Sequence, residues 1–268
     1  RGVTPTPYGD SFISHARSIL AQVHQAGQEI DDLATGDAGT ATVGTHLAGS
    51  NLLLPRAIAA VKQAHPTLTV VVREGTPDTL QTELLTGDID LTVGRLYPAP
   101  PPHLVQERLY REPIRLVARR DHPVHAESRA PALKELSRYP WVFPIAQTAL
   151  RAELEKAFSQ AGAPIPDNRI ECTSMLTLRQ LLVTTDVIAA LPMLIATQDD
   201  KLAFLSTRLG SIRRAVGVTR SADRDLSPAG SALLHHLREE ATGLTALMKR
   251  PAPESAAPGR SRQDMDPS

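Results

Sequence analysis

Cysteine, net charge and long apolar runs are scarce in this 268-residue chain, and each scarcity excludes a class of protein. Cys172 is the single cysteine, so the chain cannot hold an internal disulfide framework or a multi-cysteine metal site. Lysine plus arginine and aspartate plus glutamate number 29 each, which excludes nonspecific nucleic-acid binding driven by overall charge. No apolar run approaches the ~18 residues of a membrane span, so no membrane partner is expected.

Motifs of catalysis and cofactor binding are missing as well. The chain contains no GxxxxGK[ST] phosphate loop, no GxGxxG and no GxSxG, and we therefore expect no cofactor and no catalytic residue. His122 and His125 flank Pro123 in a predicted turn, and the adjacent His235 and His236 point to different sides of a predicted helix. These spacings favour structural or solvated histidines, so no metal site is predicted.

The amino terminus begins with Arg1 and has neither an initiator methionine nor the apolar region of a signal peptide. We expect the chain to be processed or part of something longer, and to reside in the cytoplasm.

Residues 1–38 predict a long linker helix with a dimerisation seam. Thr6-Pro7 is a helix-start signal, and Gly36 is a typical C-terminal residue. Between them the apolar residues alternate in steps of four and three, at Phe12, Ala16, Ile19, Val23, Ala26, Ile30 and Leu33. Such a seam packs either on its own domain or on a partner chain. The small residues after Gly39 favour a protruding helix, so we predict dimerisation through Phe12, Ile19, Val23 and Ile30.

Strands and helices alternate from Ala41 onward. Residues 41–47, 67–73 and 89–93 predict three parallel strands with helices between them, and the continuous apolar run at 67–73 predicts a strand buried on both faces. Two extended segments at 104–109 and 114–119 lead to a second α/β repeat between residues 141 and 205. We predict a first lobe from residues 39–109 and 211–250, a second lobe from 110–210, and a disordered tail at 251–268, which has no Leu, Ile, Val or aromatic residue.

Polar side chains follow three consecutive strands of the first lobe. Thr45 ends the first strand, Thr76 caps the helix after the second, and Arg95 follows the third. Carboxyl ends of parallel strands converge, and a hydroxyl, helix N-terminal amides and a guanidinium together suit a small carboxylate. Alternatively, Thr76 only caps its helix and Arg95 pairs with an acidic surface residue.

An ordered series of short motifs resembles the LysR-type transcriptional regulators, from about residue 3 to residue 250. Residues 4–16 look like the start of the family's linker helix, and residues 75–91 look like the signature around its second helix and third strand. The RRDHP run at residues 119–123 resembles the segment that follows the family's crossover strand. Residues 136–151 resemble the corresponding segment in the branch of the family that includes protocatechuate-type and galactose-type regulators.

The resemblance implies a fold and a function. The fold would be α/β, with two Rossmann-like lobes joined by crossover strands as in type II periplasmic binding proteins, preceded by a linker helix. The chain would be the effector-sensing part of a regulator whose N-terminal winged helix-turn-helix, which contacts promoter DNA, is missing. Family binding positions carry over to Thr45 or His46, Thr76, Arg95, Gln147, Thr148 and Ser174. The effector would be a carboxylate or a sugar-derived metabolite, and the protein would form a dimer or tetramer.

Two other functions share the same lobes. A solute-binding protein of a transport system would need an export signal, which the chain does not show. A small enzyme such as a dehydratase would need a nucleophile beside a base, and only hydroxyls without an adjacent base occur at the predicted cleft.

Overall fold

The computed structural model describes residues 4–35, 39–45, 52–97, 99–100, 102–146, 148–207, 209 and 212–249. The helices within these ranges are α1 (Pro7–Thr35), α2 (Leu53–Ala64), α3 (Pro77–Thr86), α4 (Leu133–Leu136), α5 (Ala149–Gln160), α6 (Met175–Thr184), α7 (Met193–Thr197) and α8 (Pro228–Lys249). The strands are β1 (Thr40–Thr45), β2 (Thr69–Glu74), β3 (Leu91–Arg95), β4 (Leu104–Arg119), β5 (Trp141–Phe143), β6 (Arg169–Glu171), β7 (Ile188–Pro192), β8 (Leu202–Phe204) and β9 (Arg213–Ser221). Among the described helices, none combines the length and the apolar character needed to cross a bilayer.

One mixed sheet runs through the molecule in the order β2-β1-β3-β9-β4-β7-β5-β6, and β8 pairs with β4. Lobe I is the part built on β1, β2, β3 and β9. In it β1 pairs in parallel with both β2 and β3, as the sequence predicts, while β9 is antiparallel to β3. Helices α2 and α8 cover one face of this sheet around Val43, Val61 and Leu233. Helix α3 covers the other face through Leu80 and Leu84.

The part that we call lobe II repeats this arrangement on the far side of β4. Strand β5 pairs in parallel with β6 and β7, and β7 is antiparallel to β4. The core is built on three fully buried aromatic rings, Trp141, Phe143 and Phe158, with centroids 5.2–5.8 Å apart. The indole nitrogen of Trp141 donates to the Leu136 carbonyl at 3.0 Å, so its one polar group is satisfied.

Strand β4 joins the two lobes as one continuous strand of 16 residues, whereas the sequence predicted two separate segments at 104–109 and 114–119. Its first part pairs with β9 as far as Pro113, across an irregularity between Arg108 and Tyr110, and its last part pairs with β7 and β8. The intervening residues therefore keep sheet partners. Pro113, which has no N–H to donate, lies at the end of the β9 ladder.

The prediction that 67–73 forms a strand buried on both faces is wrong. Strand β2 is the edge of the sheet, with Val72 48% exposed and only Val70 half-buried among its three valines. A run of β-branched residues fits a pleated strand at the centre or at the edge of a sheet, so the pattern alone does not indicate how many strands flank it.

Helix α1 presents its apolar seam to solvent. The residues predicted for dimerisation are between 62% and 74% exposed: Phe12, Ile19, Val23 and Ile30. A different face, carrying Ile13, Arg17 and Ala21 and centred roughly 140° around the helix axis, lies against lobe I. The seam is therefore not used by this chain's own core. Gly36 and the tail at 251–268 lie outside the described residues.

Candidate functional site

In the two lobes, the parallel strands point their carboxyl ends toward each other. Strand β4 runs from lobe I into lobe II, and β1, β2 and β3 run in the same direction as β4, so their carboxyl ends point toward lobe II. Strands β5, β6 and β7 run against β4, so their carboxyl ends point toward lobe I. In open α/β sheets, ligands bind beyond such ends.

The register fixes where the two sets of ends meet. Arg95, the last residue of β3, pairs with Val216, which in turn pairs with Tyr110 of β4. Pro192, the last residue of β7, pairs with Ile114 of β4. The ends of β3 and β7 are thus separated by four residues of β4, a rise of about 13 Å.

Thr45 stands at the end of β1, inside the lobe. Its side chain is 2% exposed, and its hydroxyl donates to the Val93 carbonyl at 3.0 Å. The Thr45 carbonyl accepts from the Gly75 amide at 3.2 Å, which ties the end of β1 to the start of the turn into α3. The hydroxyl therefore braces β1 against β3, and its contact with a ligand stays a prediction.

Thr76 is exposed and caps α3, as the sequence predicts. Its Oγ1 accepts from the Thr79 amide at 3.3 Å, and Gly87 ends the same helix with φ of 84°. The Tyr97 hydroxyl donates to the Pro77 carbonyl at 3.3 Å. Because Tyr97 lies two residues after Arg95, this bond brings the chain after β3 to the N-terminus of α3, and Thr76 and Arg95 lie on the same edge of lobe I.

A buried carboxyl, Glu112, lies between the two sets of strand ends. It is 3% exposed, and its Oε1 accepts from the Leu194 amide at 2.9 Å, at the start of α7. Burial raises the pKa of Glu112 to about 7, while the hydrogen bond from Leu194 and the positive charge of Arg95 act in the opposite direction. One acid that feels the charge of Arg95 is therefore buried at the junction of the lobes.

Sequence reasoning missed Glu112, although a signal was present. In a strand, alternate residues share a face, and Glu112 lies in phase with Tyr110 and Ile114, both of which are buried. An acid in phase with buried residues needs a hydrogen-bond donor or a cation nearby, so the pattern predicts a buried polar interaction at Glu112.

The predicted residues of lobe II also cap helices. The Thr148 hydroxyl accepts from the Arg151 amide at 3.3 Å at the start of α5, and Ser174 accepts from the Thr177 amide at 3.3 Å at the start of α6. The Cys172 amide donates to the Phe143 carbonyl at 3.1 Å, which joins the ends of β5 and β6. Thr148 and Ser174 therefore follow neighbouring strand ends. His46 and Gln147 lie outside the described residues.

Arg151, which sequence reasoning did not single out, is a buried guanidinium at the same edge of lobe II. Its Nη1 donates to Glu171 Oε1 at 2.7 Å and to the Pro144 carbonyl at 3.1 Å, and its Nε donates to Glu155 at 2.5 Å. Hydrogen bonds from Arg151 and Arg169 hold the pKa of Glu171 below its usual value. Two carboxylates therefore balance the charge of Arg151, and its bond to Glu171 holds the start of α5 against the end of β6.

Comparison with known proteins agrees with this architecture. A family model described as the LysR substrate binding domain matches residues 34–242. The HTH-type transcriptional regulator GbpR of Azospirillum brasilense is 27% identical over 266 residues, covering 96% of this chain and 77% of GbpR. The HTH-type transcriptional regulator GalR of Pseudomonas putida is 30% identical over 247 residues, covering 90% of this chain and 62% of GalR.

Solved structures show the same fold at lower identity. The crystal structure of CbnR, a LysR family transcriptional regulator, matches with a TM-score of 0.62 and 21% identity, over 88% of this chain and 81% of CbnR. The effector binding domain of a BenM variant matches with a TM-score of 0.61 and 20% identity, over 77% of this chain and 96% of that domain.

Proposed function

Because the chain belongs to the LysR substrate binding domain family, we propose that it senses a small anionic metabolite and passes the signal to promoter DNA through a DNA-binding domain on the same polypeptide. The curated relatives are named as HTH-type transcriptional regulators, and the chain spans 77% of GbpR and 62% of GalR.

The opposed strand ends are the observation that carries the proposed binding site. They aim the N-termini of α3 from lobe I and of α5 and α6 from lobe II into one region, and helix N-termini favour negative charge. Arg95 supplies a guanidinium at the same edge. We assign the carboxylate of the effector to Arg95, with Thr45, Thr76, Thr148 and Ser174 as polar contacts and His46 and Gln147 as further candidates.

The proposed mechanism is a population shift between arrangements of the two lobes. A ligand that touches both lobes binds one arrangement better, and it stabilises that arrangement by the difference in affinity. Glu112 lies on β4 between the two sets of strand ends and accepts a hydrogen bond from the start of α7. A movement of one lobe relative to the other would therefore change its surroundings.

The exposed seam of α1 supports self-association in a dimer or tetramer. Four large apolar side chains along one face would leave water if a second copy of α1 packed against them. We place the protein in the cytoplasm, where bacterial promoter DNA lies, and assign it no catalytic role, since its relatives are regulators. No observation favours the transport protein or the dehydratase.

Calorimetric titration with a panel of mono- and dicarboxylates and neutral sugars tests the proposed site. Replacing Arg95 by glutamine should weaken the tightest carboxylate at least about tenfold, since a charge-assisted hydrogen bond is lost. The matched control is Arg108→Gln, which removes an exposed arginine of β4 and should leave affinity unchanged. Equal affinity of the wild type and the Arg95 variant would remove Arg95 from the site, and saturable binding of sugars alone would overturn the anionic effector.

A further inference from the structure

A cavity of about 280 Å³ lies between α1 and lobe I. Ile13 and Arg17 of α1 form one wall, and Leu84 and Leu85 of α3 form another. The remaining wall comes from Pro102 and His103, before β4, and from Ser221, Asp223 and Arg224, at the end of β9 and just after it. None of the residues assigned to the effector site lines this cavity.

The cavity lies at the opposite edge of the sheet from Arg95. Strand β9 is antiparallel to β3, so Arg220, next to the last residue of β9, pairs with Leu91 at the amino end of β3. The wall formed by Ser221, Asp223 and Arg224 follows directly. Leu91 and Arg95 are four residues apart, so the two edges are separated by about 13 Å along the strand.

The charges around the cavity favour an anion. Arg17 lines it from α1, and within the described part of the chain it has no ion-pair partner. Arg224 lines it from lobe I and donates through Nη2 to the Ile89 carbonyl at 2.9 Å, with Asp90 nearby. The one acid named on this wall, Asp223, lies 2.8 Å from His103 Nδ1, and it faces two arginines of the same lining.

The same cavity is where α1 contacts lobe I. A Cβ on Gly87 would stand 2.8 Å from the Ala21 Cβ and 2.3 Å from Arg224 Nη1, so α1 approaches this closely only because Gly87 has no side chain. A molecule in the adjoining cavity would touch α1 and lobe I at once. Its presence would stabilise this packing by the affinity it has for the packed state.

We propose that the cavity between α1 and lobe I binds a small organic anion, with Arg17 as its charged contact and Ile13, Leu84 and Leu85 against its apolar body. The volume suits a compact molecule, near the lower limit of ligand pockets in proteins. This site is separate from the proposed effector site, and it would act on the helix that leads toward the DNA-binding domain.

Methyl-detected NMR titration with cyclohexanecarboxylate tests the proposal on the whole chain. We expect saturable shifts of the methyl groups of Ile13, Leu84 and Leu85, with a dissociation constant in the millimolar range because the probe has few atoms. Arg17→Gln should raise this constant about fivefold, since Arg17 is partly hydrated, and the neutral cyclohexanecarboxamide should bind correspondingly weakly. Leu85→Trp, which fills the cavity, should abolish the shifts. Arg95→Gln serves as the matched control and should change none of them.

The outcomes separate the two sites. Unmoved methyl groups at Ile13, Leu84 and Leu85, or equal binding by the wild type and Arg17→Gln, would overturn the proposal. Equal binding of the acid and the amide would overturn the anionic ligand. Shifts confined to the surroundings of Arg95 would also overturn this proposal, while supporting the effector site.

Discussion

Replacing Glu112 by glutamine should change how the stability of the protein depends on pH. The carboxyl is buried at the junction of the lobes, and its pKa is raised from 4.5 to about 7, chiefly by burial. Glutamine has nearly the same shape and keeps an oxygen that can accept from the Leu194 amide, but it has no charge at any pH in this range.

The sign follows from which state holds the proton. Below pH 4.5 the carboxyl is protonated in both states, whereas between 4.5 and 7 the unfolded chain releases the proton and the folded chain keeps it. The free energy of unfolding therefore falls as pH rises through this window. At ~1.4 kcal/mol for each pH unit, the wild type loses roughly 3 kcal/mol between pH 4.5 and pH 8, and the variant does not.

Urea denaturation followed by circular dichroism between pH 4.5 and pH 8 measures this difference. The stability of Glu112→Gln relative to the wild type should rise by roughly 3 kcal/mol across the range. Glu107→Gln is the control. Arg238 lowers the pKa of Glu107 from 4.5, so the stability that this exposed ion pair adds is fully present above pH 4.5 and does not change up to pH 8. Removing the pair costs under about 1 kcal/mol at neutral pH. Parallel pH profiles of Glu112→Gln and the wild type would refute the assigned burial of this acid.

The remaining predictions concern stability and assembly. Gly87→Ala should cost about 2 kcal/mol in urea denaturation, because φ is 84° and a Cβ would meet Ala21 and Arg224, and an unchanged midpoint would contradict this contact. Thr148→Ala should cost about 1 kcal/mol and Thr148→Ser much less, because the hydroxyl caps α5, and equal losses would exclude the cap. Val23→Lys should weaken self-association in sedimentation velocity without lowering stability, since the side chain is 65% exposed, and an unchanged association constant would exclude the seam.

Local signals account for what the sequence predicted well. The limits of α3 follow from a hydroxyl before a proline at one end and Gly87 at the other, and both act within a single turn of the chain. The apolar face of α1 likewise follows from spacing along one helix, while its use in dimerisation stays a prediction. The family resemblance then supplied the arrangement of the lobes, which the family model and the shared fold confirm.

Features that depend on distant neighbours were missed. The exposure of β2 reflects its position at the sheet edge, and the continuity of β4 depends on pairing with β9, about a hundred residues away. The role of Glu112 depends on Leu194 and Arg95, which approach it only in the folded chain. The predicted residues Thr45, Thr76, Thr148 and Ser174 all have structural bonds of their own, so ligand contact by them stays a prediction.

A crystal structure of the chain with the tightest carboxylate of the panel tests the central claim most directly. The account predicts that the anion lies between the lobes, with its carboxylate within about 3 Å of the Arg95 guanidinium and its other end at the N-terminus of α5 or α6. An anion bound to one lobe only, away from Arg95, would contradict it.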